Sequence, residues 1–480
     1  MPFSLLRKRE SELWCLAILI VAGVVYVKTL LPGVGHSGDT AKFQFVGRIL
    51  GTPHATGYPA YILLNHVFTG IFPFGSLAYK ANLLSAIFSL AALLFLFRIL
   101  LLLSIRPITA AITVLTFAFT QSAWFISLFA EVYSLHLLFA SAVLYYFMKW
   151  HFHRRDRDLM AGCAAYAFSF GNHLTMLALL PAIFLLVWVT DRSVFRNIRK
   201  IAAIVAVILL GAMQYGYLFW RYYDPDTRYI EMSTPDLKSL WWYITGAQFK
   251  SLLFPYSFGT FVSERLPAAA LAVYTQFSFF VLIALLGALR FANRSIQLFL
   301  LVALIIYTLF ILNMRVYAVH YYLAVTYFIL AIYLAKGLSL VRPPRLQWVF
   351  VLIPAAFLLA NFNQVDQSGN TTMSTQVEHV LQKAGRRALI LSPHYDASES
   401  FWYYLIGENK EKDDIFLLHH FVAEQVRAYI RGRAPLYLPE ERKHVPAGLT
   451  VYGISATHRM QLQAAGLRIE QLDALLYKVR

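Results

Sequence analysis

Long apolar runs separated by short basic segments fill the first 360 residues, after which the pattern breaks into short alternating stretches. Eleven runs read as candidate membrane spans, at roughly 13–31, 82–103, 108–127, 132–148, 159–171, 174–190, 201–220, 268–289, 296–312, 320–335 and 347–360. A bilayer core is crossed by about 20 residues of helix, so runs near that length predict spanning helices. The 13–31 run is too long for the apolar centre of a signal peptide and no small-residue cleavage site follows it, so it is expected to be retained as a first span. The fifth and sixth runs are short and share one apolar stretch between two basic loops. They predict a hairpin that turns at Gly171-Asn172-His173.

The remainder reads differently. Polar residues 361–375 lead into a helix-like stretch at 376–383 and strand-like runs at 388–391 and 415–418. A strand–helix–strand pattern follows at 449–454, 456–465 and 475–479. This alternation predicts a small α/β domain over 361–480 beside a transmembrane domain over 1–360. The expected fold class is an all-α polytopic membrane protein of about 11 transmembrane helices with a small C-terminal α/β soluble domain. His394 and Asp396 follow the first tail strand, where α/β folds place ligand contacts. The aromatic cluster Phe401-Trp402-Tyr403-Tyr404 reads as core.

Composition agrees with a membrane class: 59% of residues are hydrophobic and 14% charged, against about 25% charged in soluble domains. The net charge of +17 would by itself permit nucleic-acid binding. The tail, however, holds 14 Lys/Arg against 13 Asp/Glu, so the surplus sits among the spans. With the N-terminus inside, the inner loops carry 18 Lys/Arg and the much longer outer segments 8. The positive-inside rule then puts the N-terminus in the cytoplasm and, for an odd span count, the tail outside. Nucleic acid is excluded as a partner. Cys15 and Cys163 both lie in apolar runs, so no disulfide framework or zinc site is available.

The candidate chemistry gathers on the outer side. Asp39 follows Ser37-Gly38 and precedes the amphipathic stretch 41–51, which is expected to lie in the interface plane. A carboxylate at that height suits a general base for an acceptor hydroxyl; equally, Asp39 stands where an N-cap would. Glu131 sits among apolar and aromatic residues at an outer helix end, where an ionisable group is a functional candidate by default. His173 tops the hairpin and reads equally as a turn residue. Arg315 suits a phosphate, or with His320 and the tyrosines after it forms an interfacial anchor. Asp224-Pro225-Asp226 reads as a turn at a helix end. Transporters place such groups near the bilayer midplane in paired repeats; here they cluster at one face. No nucleotide-binding or metalloprotease motif is present.

Three strings are more specific. They are Ser37-Gly38-Asp39 with His54-x-x-Gly57-Tyr58-Pro59 and Phe72-Pro73-Phe74-Gly75-Ser76, then Ala130-Glu131-Val132-Tyr133-Ser134-Leu135, and Gly171-Asn172-His173-x-Thr175. Together, over about the first 190 residues, they resemble a family first catalogued as a domain of unknown function and now placed beside the protein O-mannosyltransferases in the GT-C superfamily. The resemblance implies a GT-C fold, a polyprenyl-phosphate sugar donor and a catalytic carboxylate in the first outer loop, 32–81, a position that Asp39 matches. Substrate contacts are expected from His54, Tyr58, Glu131, Asn172, His173, Arg315 and His320. Two departures bear on the acceptor: His54-Ala55-Thr56-Gly57 stands where the family usually has His-Pro-Pro-Gly, and the tail lacks the long repeats of the eukaryotic members.

The expectation is an inverting glycosyltransferase of a bacterial inner membrane, multi-pass, with membrane lipids around it. It would move a sugar, mannose among the candidates, from a polyprenyl phosphate to a protein or glycan acceptor. No cofactor or metal is expected, because the first-loop motif holds a single carboxylate. The alternative is a lipid-linked sugar transporter or flippase.

Overall fold

The computed structural model describes residues 3–35, 38–231, 236–316, 318–392, 395–408 and 414–480, without the side chains of 3–8, 344–345, 395–396 and 456–457. Ser37, His394 and the Asp396 side chain therefore lie outside the described residues.

Each of the apolar runs falls on helix. Among the described residues six helices are long and apolar enough to cross a membrane: Arg9–Lys28, Leu77–Leu102, Val132–His153, Ile198–Tyr223, Arg294–Leu312 and Leu346–Val365. A seventh arises if Phe258–Phe277 and Phe280–Leu289, bent by 103°, count as one span, and shorter apolar helices lie at Pro107–Ala118, Leu174–Thr190 and Ala324–Leu338. The outward faces of these helices are apolar: Leu16, Ile20, Ile208, Leu209 and Leu285 are all more than half exposed. A patch of this extent is intolerable in water and fits a lipid surround. Inward packing uses small residues. A Cβ on Gly287 would come within 2.0 Å of the Tyr333 carbonyl oxygen, and one on Gly337 within 2.1 Å of that of Ile283. The two helices therefore touch backbone to backbone, as lipid-embedded helices commonly do.

The tail builds a five-stranded sheet, ordered β2-β1-β5-β7-β6, from β1 (Ala388–Ser392), β2 (Ile415–His419), β5 (Thr450–Gly453), β6 (Ile469–Gln471) and β7 (Tyr477–Val479). Strands β3 (Leu436–Leu438) and β4 (Lys443–Val445) form a separate antiparallel pair. β1 pairs in parallel with both β2 and β5, and its five residues are all buried, as expected of a central strand covered on both faces. Phe401, Trp402, Tyr403 and Tyr404 are core.

The segment 32–81, expected as the first outer loop, is folded into the protein and does not present its amphipathic stretch to a lipid surface. Its helix Thr40–Phe45 is buried at every position, sandwiched between Leu77–Leu102 and the tail helix Tyr395–Trp402. The polar side of this short helix needed no water, because the protein itself satisfies it. Gln44 donates to the Gly33 carbonyl at 3.0 Å and to Asn82 Oδ1 at 2.9 Å, and accepts from the Gly35 N–H at 3.1 Å. Tail and loop share one apolar cluster, with Phe45, Tyr229 and Trp402 in it.

Candidate active site

Asp39 occupies the N-cap position of Thr40–Phe45 but makes no side-chain cap. Gly38 before it has φ +57°, a conformation open to glycine at little cost, and this turn points the Asp39 backbone N–H at Glu131 Oε1, 3.0 Å away. The Asp39 carboxylate instead meets Lys42, one helical turn on, at 3.0 Å.

Lys42 is the centre of the arrangement. It is fully buried, and its ammonium lies 3.0 Å from Glu231, 3.1 Å from Glu399 and 3.1 Å from His54 Nδ1 as well as 3.0 Å from Asp39. Three N–H donors thus face four acceptors. Lysine has donors only, so His54 Nδ1 accepts, and the His54 proton stands on Nε2, 3.0 Å from the Tyr58 hydroxyl. Burial lowers the His54 pKa, leaving the ring neutral at pH 7. Burial pushes Asp39 upward, but the charge of a protonated His54, then the Lys42 ammonium through its charge and its hydrogen bond, hold it down at about 2. Glu131 goes the other way: burial first, then the Asp39 charge, raise it well above the usual range. Two neighbouring carboxyls are thereby pushed apart, Asp39 downward and Glu131 upward, the division that acid–base chemistry exploits.

Residues from the segment 217–243 brace residues 50–57. Tyr217 donates to the Gly51 carbonyl at 2.7 Å, Arg221 to that of Leu50 at 2.7 Å, and Tyr243 to that of Pro53. Gly57 (φ +81°) lies under Leu218, where a Cβ would come within 2.6 Å. Asp224 is the turn residue at the end of Gly216–Tyr223, accepting from the Asp226 N–H and pairing with Arg221.

A cavity of about 530 Å³ opens beside this cluster. Asp39, His54, Tyr58, Glu131, His173 and Arg315 all line it, together with the apolar Phe249, Leu252, Leu253 and Phe310. Arg315 is exposed, with its guanidinium 6.0 Å from the Tyr256 ring. Two expected contacts are placed elsewhere. Asn172 is buried beneath the cavity, donating to the Val132 carbonyl at 3.0 Å and so holding the helix that Glu131 precedes. His320 meets the Tyr321 ring edge-on, with centroids 4.1 Å apart, and lines a neighbouring cavity with Gln121 and Gln276.

Sequence reasoning missed Lys42, Glu231 and Glu399. Lys42 had one signal, its i+3 spacing from Asp39. Glu399 had none, since it reaches the site only through the docking of the tail.

Residues 39–196 match the family model described as the protein O-mannosyl-transferase TMEM260 N-terminal domain. The protein O-mannosyl-transferase TMEM260 of Mus musculus is 34% identical over 129 residues, covering 27% of this chain and 18% of its own length. That of Dictyostelium discoideum is 23% identical over 234 residues, covering 45% of this chain and 28% of its own. The matched part is therefore less than a third of either relative. Among solved structures, ArnT from Cupriavidus metallidurans bound to undecaprenyl phosphate superposes with a TM-score of 0.67 at 12% identity, over 97% of both chains. The chain accordingly shares the fold of ArnT, carries helices long and apolar enough to cross a membrane, and over residues 39–196 is similar to the TMEM260 N-terminal domain.

Proposed function

We propose that the protein is a glycosyltransferase that moves a sugar, with mannose the first to test, from a polyprenyl-phosphate donor to a hydroxyl of a protein or glycan acceptor at the outer face of the membrane. The observation that carries this reading is Asp39, 3.0 Å from the Lys42 ammonium, at the wall of a cavity lined by both polar and apolar side chains. The acceptor oxygen attacks the anomeric carbon, its proton passes to Asp39, and the bond from that carbon to the phosphate oxygen breaks, leaving the lipid phosphate with the electron pair. Attack opposite the leaving phosphate inverts the anomeric centre. Arg315 at the mouth offers a cation to the phosphate, and the apolar lining suits the first isoprene units. The kinship of residues 39–196 to proteins named as O-mannosyl-transferases supports the sugar, and the undecaprenyl phosphate bound to ArnT supports the lipid.

The same reading includes eleven crossings, a cytoplasmic N-terminus, a tail domain from about residue 361 outside a bacterial inner membrane, and catalysis without a metal. The Lys42 ammonium occupies the space among carboxylates that a divalent cation would otherwise neutralise. The test is reconstitution in proteoliposomes with polyprenyl-phosphate mannose and envelope acceptors. Transfer of labelled mannose into acceptor supports an enzyme; movement of donor across the bilayer without a new bond supports the flippase.

A further inference from the structure

Behind the cavity wall, buried hydrogen bonds run from His173 into the membrane part, and the chemistry of their donors and acceptors leaves one arrangement of protons. The Thr175 backbone N–H, which can only donate, lies 3.3 Å from His173 Nδ1, so that nitrogen carries a lone pair. The Thr175 hydroxyl is 2.8 Å from the same nitrogen and 3.4 Å from His136 Nε2. Tyr307 donates to the Tyr322 carbonyl at 3.1 Å, an acceptor only. Its oxygen therefore accepts from His136 Nε2, 2.7 Å away. The His136 proton is then fixed on Nε2, that nitrogen cannot accept from Thr175, and the Thr175 hydroxyl proton is directed to His173 Nδ1.

We infer that His173 presents an Nε2–H donor to the cavity, held in that tautomer by Thr175 as a positioning residue backed by His136 and Tyr307. A neutral imidazole carries one N–H, and with Nδ1 occupied as an acceptor it must be on Nε2. Among the described residues no hydrogen bond engages that nitrogen. Burial lowers the His173 pKa to about 4, so the ring stays a neutral donor through the physiological range. Resting on the proposed function, its partner is an accepting oxygen of the donor lipid, on the phosphate or on the sugar. A neutral donor there would orient that oxygen without adding charge to the one Arg315 supplies.

Ring-15N histidine NMR of the full chain in nanodiscs tests this, with His173→Asn identifying the signal. The expected result is an Nε2–H tautomer, shifted toward a mixture by Thr175→Val and restored by Thr175→Ser. Undecaprenyl phosphate alone should perturb the Nε2 signal if the phosphate is the partner; perturbation by polyprenyl-phosphate mannose only would assign the sugar. An Nδ1–H tautomer or an imidazolium at pH 7, or a signal that neither lipid moves, would overturn the inference. If Thr175→Val does not insert, the parental tautomer and the lipid titrations still decide. Failure of sugar transfer with the tautomer and lipid response intact would instead fault the proposed function.

Discussion

The Lys42 ammonium lies 3.1 Å from Glu399 Oε1, and its backbone N–H lies 3.3 Å from Glu399 Oε2, across 357 positions of sequence. Both side chains are fully buried. The tail thus places a side chain within the charge cluster that surrounds Asp39 and does more than rest on its rim. Burial raises the Glu399 pKa well above the usual range, although the Lys42 charge opposes this, so its neutral isostere should serve nearly as well. Glu399→Gln is expected to retain transfer within about threefold and Glu399→Ala to lose about tenfold or more, the cost of an unsatisfied buried donor being about 1–3 kcal/mol. Initial rates of the two variants decide; equal losses would reduce Glu399 to packing.

Lys42→Met removes the ammonium that lies within 3.1 Å of three carboxyls. Breaking a buried ion pair from one side costs about 3–5 kcal/mol, so the thermal midpoint should fall clearly. Asp39 would lose, beside the His54 charge, the Lys42 charge and hydrogen bond that lower it, and its pKa would rise. The acid limb of the transfer rate should therefore move to higher pH in whatever fraction remains folded. A variant with an unchanged limb would show that Lys42 does not set the state of Asp39.

His173 gives a stability prediction with a definite sign. Its folded pKa of about 4 lies below the ordinary 6.5, so between those values the unfolded chain binds the extra proton. Stability must then fall as pH drops from 6.5 toward 4 and level off below, by up to about 3 kcal/mol in total. Thermal scans across that window should show His173→Asn with a shallower slope than the parent. A parallel slope would contradict the assignment.

EDTA should leave transfer unchanged, and added manganese or magnesium should not raise it. Loss of activity on chelation with recovery on metal addition would refute catalysis without a metal.

How much of this was legible beforehand follows from how local each signal was. Helices such as Leu77–Leu102 were readable because apolar length is a local property and lipid rewards it along the whole run. Strand β1 was readable as a short aliphatic run bounded by polar residues. The burial of Thr40–Phe45 was not, since its amphipathic face is equally consistent with a membrane surface, and Lys42 turns inward toward Glu231 and Glu399, which are distant in sequence. Asp39, His54, Tyr58, Glu131 and His173 were found through their motifs, and the structure brings them to one cavity. Asn172 was found by the same route, yet it serves the scaffold through the Val132 carbonyl. Glu399 depends on contact across most of the chain, which no pattern in a single sequence encodes.

The central claim is that Asp39 takes the acceptor's proton. The most direct measurement is the initial rate of mannose transfer from a polyprenyl phosphate by Asp39→Asn, in protein whose insertion and thermal midpoint match the parent. The account predicts a loss of at least about a hundredfold, the usual scale of general-base catalysis, with undecaprenyl phosphate binding retained. Transfer at the parental rate would contradict it.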